Sequence, residues 1–188
     1  MEVQTYDIAG IVLMTPRHLG DERGYFAEIF RADLFSQTVG DHDFVQDNES
    51  MSARVGTIRG LHFQSEPHAQ GKLVRCTAGA LFDVAADIRA GSPTYGQWVG
   101  ETITPGNGKQ LWIPPGFAHG FCTLEPNTVI AYKVTGGYYN AECDKGVAWD
   151  DPAIGITWPD SADADTLSAK DRKQPLLADL PTYFSWSQ

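Results

Sequence analysis

Basic charge is scarce in this chain of 188 residues: 14 Lys and Arg stand against 24 Asp and Glu, a formal net charge of −10. A surface of that sign repels nucleic acid, whose binding rests on cationic neutralisation of phosphates, so no nucleic-acid partner is expected. Cysteine is sparser still. Cys76, Cys122 and Cys143 are odd in number and show no Cys-x-x-Cys spacing, which fits free buried thiols in a reducing compartment better than a disulfide frame. No run approaches the ~18 apolar residues of a membrane span. The opening Met1-Glu-Val-Gln-Thr-Tyr-Asp7 lacks the basic segment and apolar core of a secretory signal. A cytoplasmic location and no membrane partner are therefore expected. Internal repeats, low-complexity segments and a dinucleotide-binding glycine fingerprint are also missing; Gly106-Asn-Gly108 reads as a turn.

What is there is β pattern. The length suits one well-buried core and is short for two domains. Ile8, Ile11, Val12, Leu13 and Met14 around Gly10 read as a strand or edge pair, and 16–20 and 21–24 as turns. Tyr25 to Phe30 alternates, putting Phe26, Glu28 and Phe30 on one face of a strand. Arg31 to Gln37 reads as a short helix, and Phe44 to Ser50 as extended chain. From residue 52 on, short apolar bursts such as Trp98–Ile103, Gln110–Ile113 and Thr128–Val134 are separated by Gly, Pro and Asn turns. Many short strands at regular spacing argue an all-β sandwich or closed barrel. The tail from Asp150 is loop-rich, with room for one short helix between Asp160 and Arg172.

The stretch that carries chemistry is Arg59-Gly-Leu-His-Phe-Gln-Ser-Glu-Pro-His-Ala-Gln-Gly-Lys-Leu-Val-Arg-Cys76. In a strand, residues two apart share a face. Gly60, His62 and Gln64 therefore face one way, as do Lys72, Val74 and Cys76. His62 offers a base that titrates near neutral pH, and Lys72 a cation. Together they suit proton abstraction next to a carbonyl, where the base takes the proton and the cation steadies the enolate oxygen. An imidazole works as a base through one nitrogen when the other is held, usually by a carboxylate. Asp83, Asp87 and Asp171 are candidates, and a carboxylate among the apolar neighbours of Asp83 and Asp87 is costly unless paired. Arg23, Arg59, Lys72 and Arg75 gather in or beside these motifs, against the overall sign of the chain.

Arg59-Gly-Leu-His62-Phe-Gln and Gln70-Gly-Lys72-Leu-Val-Arg75-Cys resemble the dTDP-4-dehydrorhamnose 3,5-epimerase family. So do, in order, Glu22-Arg-Gly-Tyr-Phe, Gln46-Asp-Asn48, Phe82-Asp-Val-Ala, Leu111-Trp-Ile-Pro-Pro-Gly-Phe-Ala-His119-Gly-Phe, Trp149-Asp-Asp-Pro and Leu167-Ser-Ala-Lys-Asp171. The resemblance implies a cupin-type jelly roll (a double-stranded β-helix) with short peripheral helices. Residues 1–188 would form one domain: an N-terminal strand extension (1–50), a barrel core (51–150) and a C-terminal wrap (151–188). It also implies a dTDP-4-keto-6-deoxyhexose substrate, epimerised at C5 and C3 to dTDP-4-dehydro-L-rhamnose in L-rhamnose biosynthesis. By this resemblance Asp171 orients His62, Lys72 steadies the enolate and Tyr132 is the general acid on the opposite face. Arg23, Gln46, Asn48 and Arg59 would hold diphosphate and nucleoside, helped by Lys170, with Phe26 and Glu28 as further nucleotide contacts.

Downstream of Tyr132 the chain is one residue longer than the family pattern. Counting forward selects Tyr138 as the residue stacking on thymine, and counting back from Trp149 selects Tyr139. Asp144 stands where the family usually has Glu. A homodimer is expected, because the apolar run Ile8 to Met14 looks like edge material that a lone barrel would leave unpaired, and the resemblance implies the same.

Pro114-Pro-Gly-Phe-Ala-His119 matches the second motif of metal-binding cupins, but the first motif needs His-x-His, and here His62 is followed by Phe63 and Gln64. Without three convergent ligands a divalent site is not expected, and His119 is left as a neutral or cationic hydrogen-bond donor to a phosphate or sugar, as the resemblance also implies. No cofactor is expected either, since a ketone already acidifies its neighbouring C–H bonds. Rival readings are a C3-only or C5-only epimerase, a non-catalytic sugar-nucleotide-binding jelly roll and a metal-dependent cupin. The presence of His62, Asp171 and Tyr132 argues against the binder, and the missing His-x-His against the last.

Overall fold

The computed structural model describes residues 1–186. Its strands, in chain order, are β1 (Glu2–Thr5), β2 (Val12–Thr15), β3 (Leu19–Asp21) and β4 (Gly24–Phe26), followed by helix α1 (Ala32–Val39) and β5 (Phe44–Ser52). Then come β6 (Ile58–Gln64), β7 (Lys72–Ala78), β8 (Leu81–Asp87), β9 (Arg89–Ala90), β10 (Trp98–Ile103) and β11 (Gln110–Ile113). The last are β12 (Phe117–Thr123), β13 (Thr128–Thr135), β14 (Asp144–Gly146) and β15 (Phe184–Ser185). Two antiparallel sheets face each other, in the orders β1-β2-β11-β7-β13-β5 and β10-β8-β12-β6-β14. This is the expected all-β jelly roll.

Strand alternation sends one set of side chains between the sheets. Val74, Cys76, Ile130, Leu111 and Ile113 from the larger sheet meet Leu81, Ala85, Val99, Ile103 and Phe121 from the smaller. Burying a Val, Leu or Ile side chain contributes about 1.5–3 kcal/mol, so this layer dominates the stability of the fold. The outer face of the larger sheet is covered in turn by α1, whose Phe35 joins Val12, Met14, Leu73 and Trp112. Gly40, at φ 99°, ends that helix. Gly71 is required by close approach: a Cβ there would lie 2.4 Å from the Trp112 ring and 2.7 Å from Thr135 Oγ1. The chain thus enters β7 pressed against the sheet, which fixes where Lys72 begins the strand.

Four expectations are corrected. The turn expected over 16–20 gives way at Leu19 to β3, which pairs with β4. The Ile8–Met14 run is not unpaired edge: β2 lies inside the larger sheet between β1 and β11, and Ile8, Ile11, Val12, Leu13 and Met14 are all buried. The edge is β1, whose four residues are exposed. The alternating stretch Tyr25–Phe30 is strand only to Phe26, where the β3–β4 hairpin ends; Phe30 turns away to join the Phe35 and Phe44 cluster. The tail holds three single turns of 3-10 helix, at Ala164–Thr166, Asp171–Lys173 and Leu177–Asp179, in place of one helix.

Those turns are held by specific contacts. Ile58 N–H donates to Thr166 Oγ1 at 3.0 Å, Ala148 N–H to the Pro175 carbonyl at 2.8 Å, and Leu177 N–H to Asp151 Oδ2 at 2.5 Å. Further on, β15 pairs in parallel with β9, and the Arg89 guanidinium lies between the Phe117 and Trp186 rings. The wrap therefore runs pinned across the smaller sheet, bringing Asp171 behind β6.

Candidate active site

His62 and His119 face each other across adjacent strands: β6 pairs with β12 in the register His119↔His62. From the opposite sheet, Lys72 on β7 pairs with Val134 on β13, two residues from Tyr132. On β7 the shared face runs Lys72, Val74, Cys76. The last two are core, so Lys72 carries the same side of the strand out of the apolar layer into a cavity. That cavity, about 370 Å³, is lined by Arg59, His62, Lys72, His119, Tyr132, Ser168 and Asp171, among others. A second hollow of similar size shares His62, Lys72 and Tyr132 with it and adds Gln46, Asn48, Gln64, Tyr139, Asp144 and Lys170.

Asp171 is buried and lies 2.5 Å from His62 Nε2. Burial pushes its pKa up, but the hydrogen bond and charge of His62, the Ser168 hydroxyl and Lys170 outweigh that and hold it below the ordinary carboxylate value. The carboxylate is therefore ionised, and Nε2 carries the proton that it accepts. Nδ1 is left as the nitrogen able to take a proton. Ser168 is a site residue that the reading of the sequence misses, yet its Oγ accepts from Asp171 N–H at 3.0 Å. Its Ser-x-x-Asp spacing at the start of a turn is the available signal.

Asp83 proves to be the partner of His119, with Nε2 and Oδ1 2.7 Å apart. Burial lowers the His119 pKa against the pull of Asp83, and the charges of Lys72 and His62 add to the lowering. The neutral ring keeps its one proton on Nε2 for Asp83 and offers Nδ1 as an acceptor, so the expected donor to the ligand is corrected to an acceptor. The other oxygen, Asp83 Oδ2, is buried with no hydrogen-bond partner among the described residues. Asp87 is spoken for elsewhere, bridging Arg89, Ser92 and Thr94.

Lys72 is pushed down from the usual lysine value to about 8 by burial, against the charges of Asp83 and Asp144, while Lys170 lowers it further. Its ammonium lies 6.0 Å from the centre of the Tyr132 ring. Burial raises the Tyr132 pKa, with a hydrogen bond from Asn48 and the charge of Arg59 opposing. A base with its second nitrogen held, a cation and a phenol thus border one cavity.

The other residues expected at the site divide into two groups. Gln46 Nε2 donates to Asn48 Oδ1 at 2.8 Å, and Arg59 donates to Ser52 Oγ at 3.1 Å. Asp144 accepts from Lys170 Nζ at 2.5 Å and from the Tyr139 hydroxyl at 3.1 Å. Tyr139 lines the second hollow, whereas Tyr138 is 68 % exposed and lines neither. Arg23, Phe26 and Glu28 also stand apart. Arg23 is bound to Asp21 on the β3–β4 hairpin, Phe26 is 69 % exposed, and Glu28 sits 3.8 Å from Arg31. None of the three lines either hollow. Among the described residues no three His, Cys, Asp or Glu side chains converge as a metal site, and no helix is long and apolar enough to cross a membrane.

Fold and site together define a cupin-type jelly roll equipped for proton transfer. The family profile of the dTDP-4-dehydrorhamnose 3,5-epimerases matches residues 5–179. The dTDP-4-dehydrorhamnose 3,5-epimerase of Sinorhizobium fredii is 59 % identical over 186 residues, 99 % of this chain and 94 % of that protein. The crystal structure of the Legionella pneumophila dTDP-6-deoxy-D-glucose-3,5-epimerase in complex with dTDP-4-keto-L-rhamnose superposes with a TM-score of 0.92. It is 41 % identical and covers 100 % of this chain and 99 % of its own. That of the Bacillus anthracis dTDP-4-dehydrorhamnose 3,5-epimerase with TDP and pyrophosphate bound gives 0.88 at 46 % identity, covering 93 % and 98 %. The chain belongs to the dTDP-4-dehydrorhamnose 3,5-epimerase family.

Proposed function

We propose that this chain epimerises dTDP-4-dehydro-6-deoxy-D-glucose at C3 and C5 to dTDP-4-dehydro-L-rhamnose. The observation that carries the reading is the His62–Asp171 pair, with Lys72 and Tyr132 bordering the same cavity. His62 Nδ1 removes the proton α to the C4 ketone. Lys72 steadies the enolate oxygen, and Tyr132 delivers a proton to the face opposite the base, since one base alone returns it to the side it came from. Arg59, Lys170, Gln46, Asn48 and Tyr139 hold the nucleoside diphosphate, and His119 Nδ1 accepts from a sugar hydroxyl. No redox cofactor takes part, because the ketone already acidifies both positions.

Heavy water tests this. Wild-type protein should introduce deuterium at both C3 and C5 of the 4-keto sugar. Uptake at one carbon would make it a single-site epimerase, and uptake at neither would make it a binder. In Tyr132→Phe the enolate still forms and His62 can return a deuteron to the original face, so exchange should outlast inversion. The ratio of exchange to epimerised product should rise; an equal fall in both would remove Tyr132 as the dedicated acid.

The working assembly in this reading is a cytoplasmic homodimer of single-domain subunits. Leu19, Tyr25 and Phe26 are more than half exposed on one hairpin, an apolar surface that a second copy would cover. Covering it would also give Arg23, Phe26 and Glu28 a nucleotide to contact. Light scattering at micromolar concentration should return twice the subunit mass. A fully active monomer would refute the assembly.

A further inference from the structure

Gln64 stands two residues beyond His62 on β6, on the same face, where a metal-binding cupin would carry its second histidine. Its side chain is buried, at 5 % exposure, and both ends of its amide are engaged. Nε2 donates to the carbonyls of His68 at 2.9 Å and Tyr138 at 3.3 Å, and Oε1 accepts from Asn140 N–H at 2.6 Å. One side chain therefore ties two separate loops, 65–71 and 136–143, to the strand that bears His62. Gln70 Nε2 adds a tie from the first loop to the second, at the Gly137 carbonyl, 2.7 Å away. The second loop carries Tyr139 and leads into Asp144, which that tyrosine's hydroxyl contacts.

We propose that Gln64 is a positioning residue that sets the distance between His62 and the nucleoside-binding loop carrying Tyr139. This rests on the reading of the cavity as a nucleotide-sugar site. An unanchored loop must be ordered each time a nucleotide binds, a cost that falls on affinity rather than on the proton-transfer step. Gln64 lines the same hollow as Lys72 and Tyr132, but none of its side-chain hydrogen bonds goes to Lys72, Tyr132 or Asp171. Its loss should therefore separate binding from chemistry, which loss of a core residue does not do.

The test uses the full-length protein, dTDP as the binding probe, and two variants. Gln64→Leu keeps the volume and removes all three hydrogen bonds. It should raise Kd for dTDP and KM for the 4-keto sugar together, each about tenfold, while kcat changes less than threefold. Gln64→Glu keeps the shape but turns a carboxylate towards two carbonyls. Once protonated it can donate to one of them again, so its dTDP affinity relative to wild type should recover as pH falls. A lowered melting temperature with Kd and KM unchanged would reduce Gln64 to a structural residue and overturn the proposal. If Gln64→Leu does not fold, the pH recovery in Gln64→Glu decides alone: its absence also overturns the proposal. Failure of wild-type protein to bind dTDP would instead sink the function from which the proposal starts.

Discussion

In His62→Asn, both deuterium uptake and epimerised product should be lost. Removing a general base costs typically ~10²–10⁴-fold in rate, and the second histidine in the cavity offers no substitute. His119 is tied to Asp83 at 2.7 Å, and burial together with the charges of Lys72 and His62 lowers its proton affinity. Asp171 loses its imidazole partner in this variant, but it is buried behind position 62. Asparagine fills much of the imidazole's space at a partly exposed position, so the fold should survive, which circular dichroism would check. The measurement is NMR of the C3 and C5 protons of substrate in heavy water. Exchange at either carbon within tenfold of the wild-type rate would assign the base elsewhere and dismantle the mechanism from its first step.

Most of the barrel is legible in the sequence because strand alternation is local. Trp98–Ile103 and Gln110–Ile113 form strands with the bounds of their apolar bursts. The facing of His62 and Lys72 likewise follows from counting by twos. The pairing of strands is not local, and the misreadings arise there. Ile8–Met14 looks the same whether β2 is an edge or lies between β1 and β11; only the register Leu111↔Leu13 decides. Asp171 lies 109 residues from His62, and no spacing rule bridges that distance. Family resemblance names the pair that geometry brings together.

The choice among Asp83, Asp87 and Asp171 illustrates the same limit. Burial cost shows that each needs a partner, but not which one. The partners are His119, Arg89 and His62. Tyr138 and Tyr139 differ by one position along a loop, where alternation gives no guide. Tyr139 lines the hollow and Tyr138 does not, in a loop that Gln64 and Gln70 hold at the Tyr138 and Gly137 carbonyls. The tail defeats periodicity altogether, because 3-10 turns three residues long are set by capping contacts and prolines rather than by an apolar stripe.

Lys72 should govern the alkaline limb of the pH profile. Burial holds its pKa down to about 8 even though Asp83 and Asp144 face it, and Lys170 lowers it further; His62, His119 and Tyr132 border the same space. A lowered pKa means that the ammonium is present below that value and lost above it. If the enolate needs the cation, kcat/KM, which reports free-enzyme ionisations, should fall as pH rises through about 8. Tyr132 cannot account for this limb, since burial moves the phenol upward from its ordinary value of 10.0. Two substitutions make the assignment testable. Lys72→Met removes the charge at every pH and should cost on the order of 10²–10³ in kcat, the usual loss for one group that stabilises a developing oxyanion. Lys72→Arg keeps a charge that does not titrate in proteins. Some activity should remain, reduced by the bulkier fork, and the limb near 8 should vanish from its profile. A limb that stays in place in Lys72→Arg would show that another group loses the proton, and Lys72 would then be a structural cation.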